Sequence, residues 1–330
     1  MAKSLHPFLL LSLFALASCT AKYIRPASTA RVAADPAAVA RGEYLVTAVT
    51  ACGACHGSRL SGSLAEDEGY AAPLTGGNQM SDIGLSLYVP NLTPDDETGL
   101  GRWTDGEILR AIRDGVGRDG HLLFPMMPFG SFQHLSDFDA GAIVAYLRTL
   151  PKQRAPRART EPQLSFPARL AIYTFGVAHH VPVEHVEPPA VTDRRAYGAY
   201  LAKIAQCADC HALATLSVRA PDDPLFMSGS AGAFSMPEVG KVWAPNLTPD
   251  VETGLGARTA EQVKQALRTG IRLDGRTMAP PMRSMRAHYA QMTDADLDAL
   301  ISYLQSLPPV KNKVPDRVLT PFARAALGGP

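Results

Sequence analysis

Apolar positions along the 330-residue chain fall into short helical patterns, and most of these patterns occur twice. Residues 37–50 place apolar side chains around Tyr44, Leu45 and Val49, and residues 197–205 repeat the arrangement. A second helix is predicted from Thr104, where Thr104 and Glu107 stand at capping-box spacing. Its inner face is Ile108, Ala111 and Ile112, and Gly115 sits where a helix stops. The counterpart opens at Thr259 with Gln262 three residues on and stops at Gly270. A last helix opens at Ser136, with Asp139 at its third position, and runs through Ile143, Tyr146, Leu147 and Leu150 to Pro151. Its partner opens at Thr293 with Asp296 and runs through Leu300, Ile301, Tyr303, Leu304 and Leu307 to Pro308. No stretch alternates convincingly with period two, so the predicted fold class is all-α.

The pairing is a duplication with a fixed register. Asn91-Leu92-Thr93-Pro94-Asp95 returns as Asn246-Leu247-Thr248-Pro249-Asp250, 155 positions on, and Glu97-Thr98-Gly99-Leu100-Gly101 returns as Glu252-Thr253-Gly254-Leu255-Gly256. Asp119-Gly120 matches Asp274-Gly275 in the same register; Tyr146 and Tyr303, 157 apart, mark a small insertion. Two tandem domains are expected, at 37–152 and 193–311, with a linker at 153–192 and a tail at 312–330. Residues 151–192 hold seven prolines, too many for one helix. Residues 166–176 are apolar enough to pack on something. In the tail, Ala323-Arg324 echoes Ala168-Arg169, and packing on the protein's own body is the expected fate of that segment.

The duplication carries chemistry. Cys52-Gly53-Ala54-Cys55-His56 and Cys207-Ala208-Asp209-Cys210-His211 both read C-x-x-C-H, the pattern of covalent c-type haem attachment. Two thiols about one turn apart reach the two vinyl groups of one porphyrin, and the adjacent histidine faces the iron. A thioredoxin-like pair would sit near a βαβ pattern, and a zinc site would need a second ligand pair close by; neither is present. A structural disulfide leaves both histidines unexplained.

A methionine opposite the histidine suits electron transfer, whereas an open position permits small-molecule chemistry. Of ten methionines, only Met127 and Met282 pair in register in the proline-rich loops after Asp-Gly, each 71 residues beyond its histidine. They are the expected sixth ligands of His56 and His211. Met126, Met278 and Met285 compete by neighbourhood, and Met80 and Met236 from the glycine-rich loops. Tyr88-Val89-Pro90-Asn91 and Trp243-Ala244-Pro245-Asn246 are candidates for the haem edge, where amide donors would meet propionates, or else fixed turns packed on the core. His121, His134, His179, His180, His185 and His288 have no partner in register and are expected on the surface or in loops.

Composition narrows the setting. With 46% hydrophobic residues the chain can bury cores, and a net charge of +1 gives no basic face for nucleic acid. The run Lys152, Arg154, Arg157, Arg159 reads as a solvated linker. Lys3 followed by a short apolar stretch at 8–17 is an export signal, too short to span a membrane. Leu16-Ala17-Ser18-Cys19 resembles a bacterial lipobox, and lipidation accounts for Cys19, the one cysteine of five outside the two motifs. Residues 1–18 are then a lipoprotein signal peptide, 19–36 a flexible tether, and the protein an exported, periplasmic, lipid-anchored one.

Together, C-x-x-C-H, Asn-Leu-Thr-Pro-Asp, Glu-Thr-Gly-Leu-Gly, Thr-Asp-Gly-Glu-Ile, Arg-Asp-Gly and Phe-Pro-Met-Met-Pro-Phe resemble the multihaem cytochrome c subunit of membrane-bound bacterial alcohol, aldehyde and gluconate dehydrogenases. The resemblance covers roughly residues 37–311. It implies two class I cytochrome c domains, two covalently bound haem c groups linked through Cys52, Cys55, Cys207 and Cys210, and iron ligands His56 with Met127 and His211 with Met282. Those subunits typically carry three haem motifs; this chain has two. The expected function is single-electron transfer between a donor dehydrogenase and a respiratory acceptor. The alternative is a dihaem enzyme, peroxidase-like or thiol-oxidising, with one iron open to substrate.

Overall fold

The computed structural model describes residues 25–57, 73–77, 79–80, 87–157, 182–214 and 218–328. Asp35 opens the first helix, α1 (Pro36–Tyr44), by accepting from the Ala38 amide, with Pro36 in the first turn where a missing N–H is harmless. A π-helical stretch, Leu45–Val49, continues α1 and buries four of its five side chains. The first C-x-x-C-H follows on the one-turn helix α2 (Gly53–His56). Strands β1 (Gln79–Met80) and β2 (Leu87–Tyr88) pair antiparallel, and α3 (Asp105–Asp114), α4 (Phe129–Phe132) and α5 (Asp137–Thr149) complete the first repeat.

The second repeat runs α6 (Arg194–Ile204), α7 (Cys207–His211), β3 (Phe234–Met236), β4 (Gly240–Val242), α8 (Ala260–Thr269), α9 (Met282–Tyr289) and α10 (Asp294–Gln305). β5 (Val318–Leu319) and α11 (Pro321–Leu327) end the described chain.

The four helix starts read from sequence are present. Thr104 and Thr259 each form a reciprocal capping box, with Glu107 and Gln262, and Gly115 and Gly270 end those helices in the left-handed conformation. Ser136 and Thr293 accept from the Asp139 and Asp296 amides.

The all-α expectation needs correction: the chain is mostly helical with short antiparallel strands, in sheets ordered β1-β2 and β3-β4-β5. Strands of two or three residues are too short to print an alternation into the sequence.

In each repeat the first and last helices cross, α1 on α5 and α6 on α10. Glycine sets the closeness of both crossings. A Cβ on Gly42 would overlap the Ala142 carbonyl and one on Gly198 the Ala299 carbonyl.

The repeats also lock onto each other with approximate two-fold reciprocity. Tyr44 of the first donates to Asp296 of the second at 2.6 Å and accepts from the Thr293 amide. Tyr200 of the second donates to Asp139 of the first at 2.7 Å and accepts from the Ser136 amide. Arg41 grips the same Asp139 through two nitrogens, each at 2.8 Å. One apolar cluster spans the seam, taking in Leu45, Leu135 and Val144 from one side and Leu201, Met292 and Leu297 from the other. Such an arrangement, with the same patch used on both partners, is the geometry of an isologous dimer interface within one chain. His288, expected on a surface or loop, is instead fully buried there and bonds through Nδ1 to the Thr47 carbonyl.

Both ends of the described chain are fastened. In the expected flexible tether, residues 25–35 lie on the first repeat: Arg25 pairs with Asp114, and the Val32 amide donates to Asp105. The tail packs on the second repeat, where β5 pairs with β4 and Leu319, Ala323 and Leu327 join Val239 and Val242. Among the described residues no helix is long and apolar enough to cross a membrane.

Candidate haem sites

His56 ends α2 and His211 ends α7, each with its ring buried. His56 Nδ1 lies 2.9 Å from the Pro90 carbonyl, and His211 Nδ1 lies 2.8 Å from the Pro245 carbonyl. A carbonyl only accepts, so Nδ1 carries the proton and donates, which leaves the Nε2 lone pair available to a metal. Burial holds both imidazoles below the usual histidine range, against the pull of the proline carbonyls; His56 falls to about 4, with the Arg157 cation adding to the fall. Both rings are therefore neutral at physiological pH, the form that binds a metal.

The proline carbonyls are fixed by their surroundings. Gly76, at φ +61°, donates to the His56 carbonyl and leaves no room for a Cβ, which would strike the Val89 and Pro90 carbonyls. Gly229 donates in the same way to the His211 carbonyl. The Asn91 and Asn246 side chains hold fixed turns. Each is buried, donates to the hydroxyl of Thr98 or Thr253 and to the carbonyl of Gln153 or Val310, and accepts from the amide of Thr93 or Thr248. Their amide donors are consumed in closing the turn.

No disulfide joins the four motif cysteines, whose sulfurs would become the thioether sulfurs of a loaded protein. Burial pushes Cys52 up to about 11 and Cys207 and Cys210 up to about 12, and also raises Cys55. Raised values are the opposite of what a redox-active dithiol needs. The residues just before the first cysteines, Ala51 and Gln206, sit 155 apart and both take positive φ, 51° and 61°. Non-glycine residues held there mark a backbone constrained by its surroundings. The Gln206 side chain uses that pose to donate to the Thr50 carbonyl of the other motif at 3.0 Å. A second cross-link joins Ser131 of the first repeat to Asp209, inside the second motif, at 2.8 Å.

Met127 and Met282 follow matching hairpins. Bridges Val116–Leu122 and Ile271–Thr277 sit in register, as do the Leu123 to Gly115 and Met278 to Gly270 hydrogen bonds. Both methionines are half-buried against the shared core. Their exits differ. Pro128 bars the helical conformation at Met127, so α4 starts only at Phe129, whereas Met282 is the first residue of α9. Of the competitors, Met126 is exposed and Met285 packs on the shared core. The side chain of Met80, together with Cys19, His179, His180, Arg159 and residues 166–176, lies outside what the structure describes. Sequence reasoning missed Gly76, the Ser131–Asp209 link and the Gln206–Thr50 link; the positive-φ positions at 51 and 206 carry ordinary residues and leave no sequence mark.

These residues fit a haem. Each site offers two sulfurs and a neutral imidazole on a single helical turn, the imidazole already oriented by a carbonyl, with a thioether-bearing loop in the same repeat.

Comparison with known families agrees. Residues 37–147 match the family model described as cytochrome C oxidase, cbb3-type, subunit III, and residues 196–308 match the cytochrome c model. The fructose dehydrogenase cytochrome subunit of Gluconobacter japonicus is 27% identical over 86% of this chain and 55% of its own length. The alcohol dehydrogenase (quinone) cytochrome c subunit of Gluconacetobacter polyoxogenes is 32% identical over 84% of this chain and 57% of its own. A diheme cytochrome c-type protein of Cereibacter sphaeroides is 26% identical over 82% of this chain and 86% of its own. The chain thus spans about half the length of the dehydrogenase subunits it matches. With both motifs inside the matched regions, the chain carries cytochrome c domains and its cofactor is haem c.

Proposed function

We propose that this protein is a two-haem electron carrier, linking a donor dehydrogenase to a respiratory acceptor. The observation that carries the reading is the copied environment of the two histidines. Each gives Nδ1 to a proline carbonyl at nearly the same distance, in a repeat whose Asp-Gly hairpin leads to a methionine. Haem c supplies a one-electron couple, and axial ligand, hydrogen bonding and burial tune it. In this reading Cys52, Cys55, Cys207 and Cys210 form the thioether links, His56 and Met127 close one iron site, and His211 and Met282 close the other. The repeats are two tandem class I cytochrome c domains, at 37–152 and 193–311. Relatives named as dehydrogenase cytochrome subunits support a dehydrogenase as donor. Cys19 is lipidated after removal of residues 1–18, which places the carrier at a membrane face in the periplasm.

Absorption and EPR spectroscopy of the purified protein test the site. Two low-spin His/Met haems are expected, one lost in Met127→Ala and the other in Met282→Ala. High-spin iron in the wild type would refute the closed sites and favour an enzyme; an unchanged spectrum in either variant would refute that ligand. Fractionation tests the anchor: Cys19→Ala should move the protein from membrane to soluble fraction, and an unchanged distribution sinks the lipid link.

A further inference from the structure

The two haem sites repeat one another in ligands, orienting bonds and burial, so a functional difference has to come from what the duplication did not copy. Two of the uncopied charges act on side chains of a C-x-x-C-H motif. Arg157 reaches back over the first site and donates through Nη1 to the Tyr88 carbonyl at 2.8 Å, two residues before the carbonyl that orients His56. Its cation acts on the His56 ring directly. The register around it is set by the Ala155 and Asn312 amides, which make the same bond to Thr98 and Thr253. That register places Val314, apolar, at the equivalent position, where its side chain lies over Gly229.

The second charge is Asp209, between the two cysteines of the second motif and held by Ser131. Its carboxylate acts on Cys207, Cys210 and Tyr289. The first motif has Ala54 in its place. Other uncopied charges have the opposite sense: Glu43 near Tyr146, Arg195 near Tyr303, Arg219, which donates to the Gly229 carbonyl at 3.2 Å, and Arg283, which adjoins Met282 where the first repeat has Pro128. Glu43 and Arg195 lie in solvent, where screening is strongest, and Arg219 and Arg283 lie outside the C-x-x-C-H motif.

Reduction adds one electron to a site. A nearby cation favours the reduced form and a nearby anion opposes it, more strongly where the dielectric is low. We propose that Arg157 and Asp209 split the two sites in potential, the His56 site above the His211 site, so that electrons enter at the second repeat and leave from the first. The inference rests on both motifs carrying haem c in the proposed carrier. One electron leaves the His211 site, one arrives at the His56 site, and no proton is needed for balance; the donor dehydrogenase supplies the electron.

Redox titration of the haem-loaded full-length protein at pH 8, followed optically and by EPR, tests the order. The wild type should give two waves. Loss of a methionine ligand lowers the potential of its site, so Met127→His marks the His56 wave by dropping it. That wave should be the upper one in the wild type. Arg157→Gln should lower the upper wave alone, Asp209→Asn should raise the lower wave alone, and Arg157→Lys, which keeps the charge, should leave both in place. Unchanged His/Met spectra in these three charge variants confirm that the sites are intact. The proposal is overturned if the Met127→His wave is the lower one, if Arg157→Gln moves the lower wave or neither, or if Asp209→Asn moves the upper wave or neither. A wild type without two low-spin haems would instead bring down the carrier reading itself.

Discussion

Tyr200 offers the sharpest test of how the two repeats are joined. Its hydroxyl donates to Asp139 at 2.7 Å and accepts from the buried Ser136 amide at 3.1 Å. Burial, and after it the Asp139 charge, raises the phenol's pKa, so it stays a donor wherever the protein is folded. Tyr200→Phe keeps the ring and removes both bonds. A hydrogen bond to a charged group is worth about 1.5–3 kcal/mol and an orphaned buried donor costs about 1–3 kcal/mol. Arg41 continues to hold Asp139 through two bonds, which limits the damage. The expected loss is about 2–4 kcal/mol. Tyr44→Phe removes the mirror-image bonds: water can serve the exposed Thr293 amide, but the buried Asp296 carboxylate loses its hydrogen bond. That variant should lose about 1.5–3 kcal/mol. Guanidinium denaturation of the haem-loaded protein, followed by circular dichroism, reads both, with a shifted midpoint and an unchanged slope. If neither variant shifts the midpoint, the reciprocal seam is not what holds the repeats together.

Three further outcomes follow from the same contacts. Gly42→Ala adds a methyl against the Ala142 carbonyl, and the roughly 1 kcal/mol gained in helix propensity is outweighed by overpacking of about 1–3 kcal/mol or more; a stabilised variant in thermal melts would contradict the tight crossing. Gly76→Ala should displace the Pro90 carbonyl and loosen His56, seen as a changed EPR signal from one haem while the other is untouched, whereas two unchanged signals would separate Gly76 from the site. His185 bridges Asp137 and Glu187, and the hydrogen bonds to those carboxylates raise its pKa above 6.5. Burial raises Asp137, but hydrogen bonds from His185 and Arg113 outweigh it and hold the carboxyl below 3.8. The His185 contribution is full below 6.5 and fades as pH rises through its raised value; that of Asp137 is full above 3.8 and fades as pH falls through its lowered value. Amide exchange at Val186, which bonds to Asp137, should therefore be slowest, after correction for intrinsic rates, between about pH 4 and 6.5, and a protection profile flat to pH 9 would rule the clasp out.

Much of the candidate site was legible in the chain because its signals are local. The thiol and imidazole spacing spans five residues, each cap speaks to an amide three residues on, and the 155-residue register singles out Met127 and Met282 by position. Residues such as Thr104, Glu107 and Gly115 act within a turn or two of themselves, so reading them needs no knowledge of the rest of the molecule. The short strands escaped because two or three residues cannot express a period of two. The His288 environment escaped because burial at a seam depends on a segment 241 positions away.

What only the folded chain decided is how the copies meet and how they differ. Tyr44 and Asp296 touch across 252 positions, and Gly42 matters because of a carbonyl on another helix. Neither contact leaves a periodic trace, since nothing in the intervening residues has to repeat for two distant side chains to meet. The same holds for Arg157 and Asp209. In the sequence one is a basic residue in a linker and the other a variable position inside a motif; only packing sets one beside His56 and the other beside Cys207.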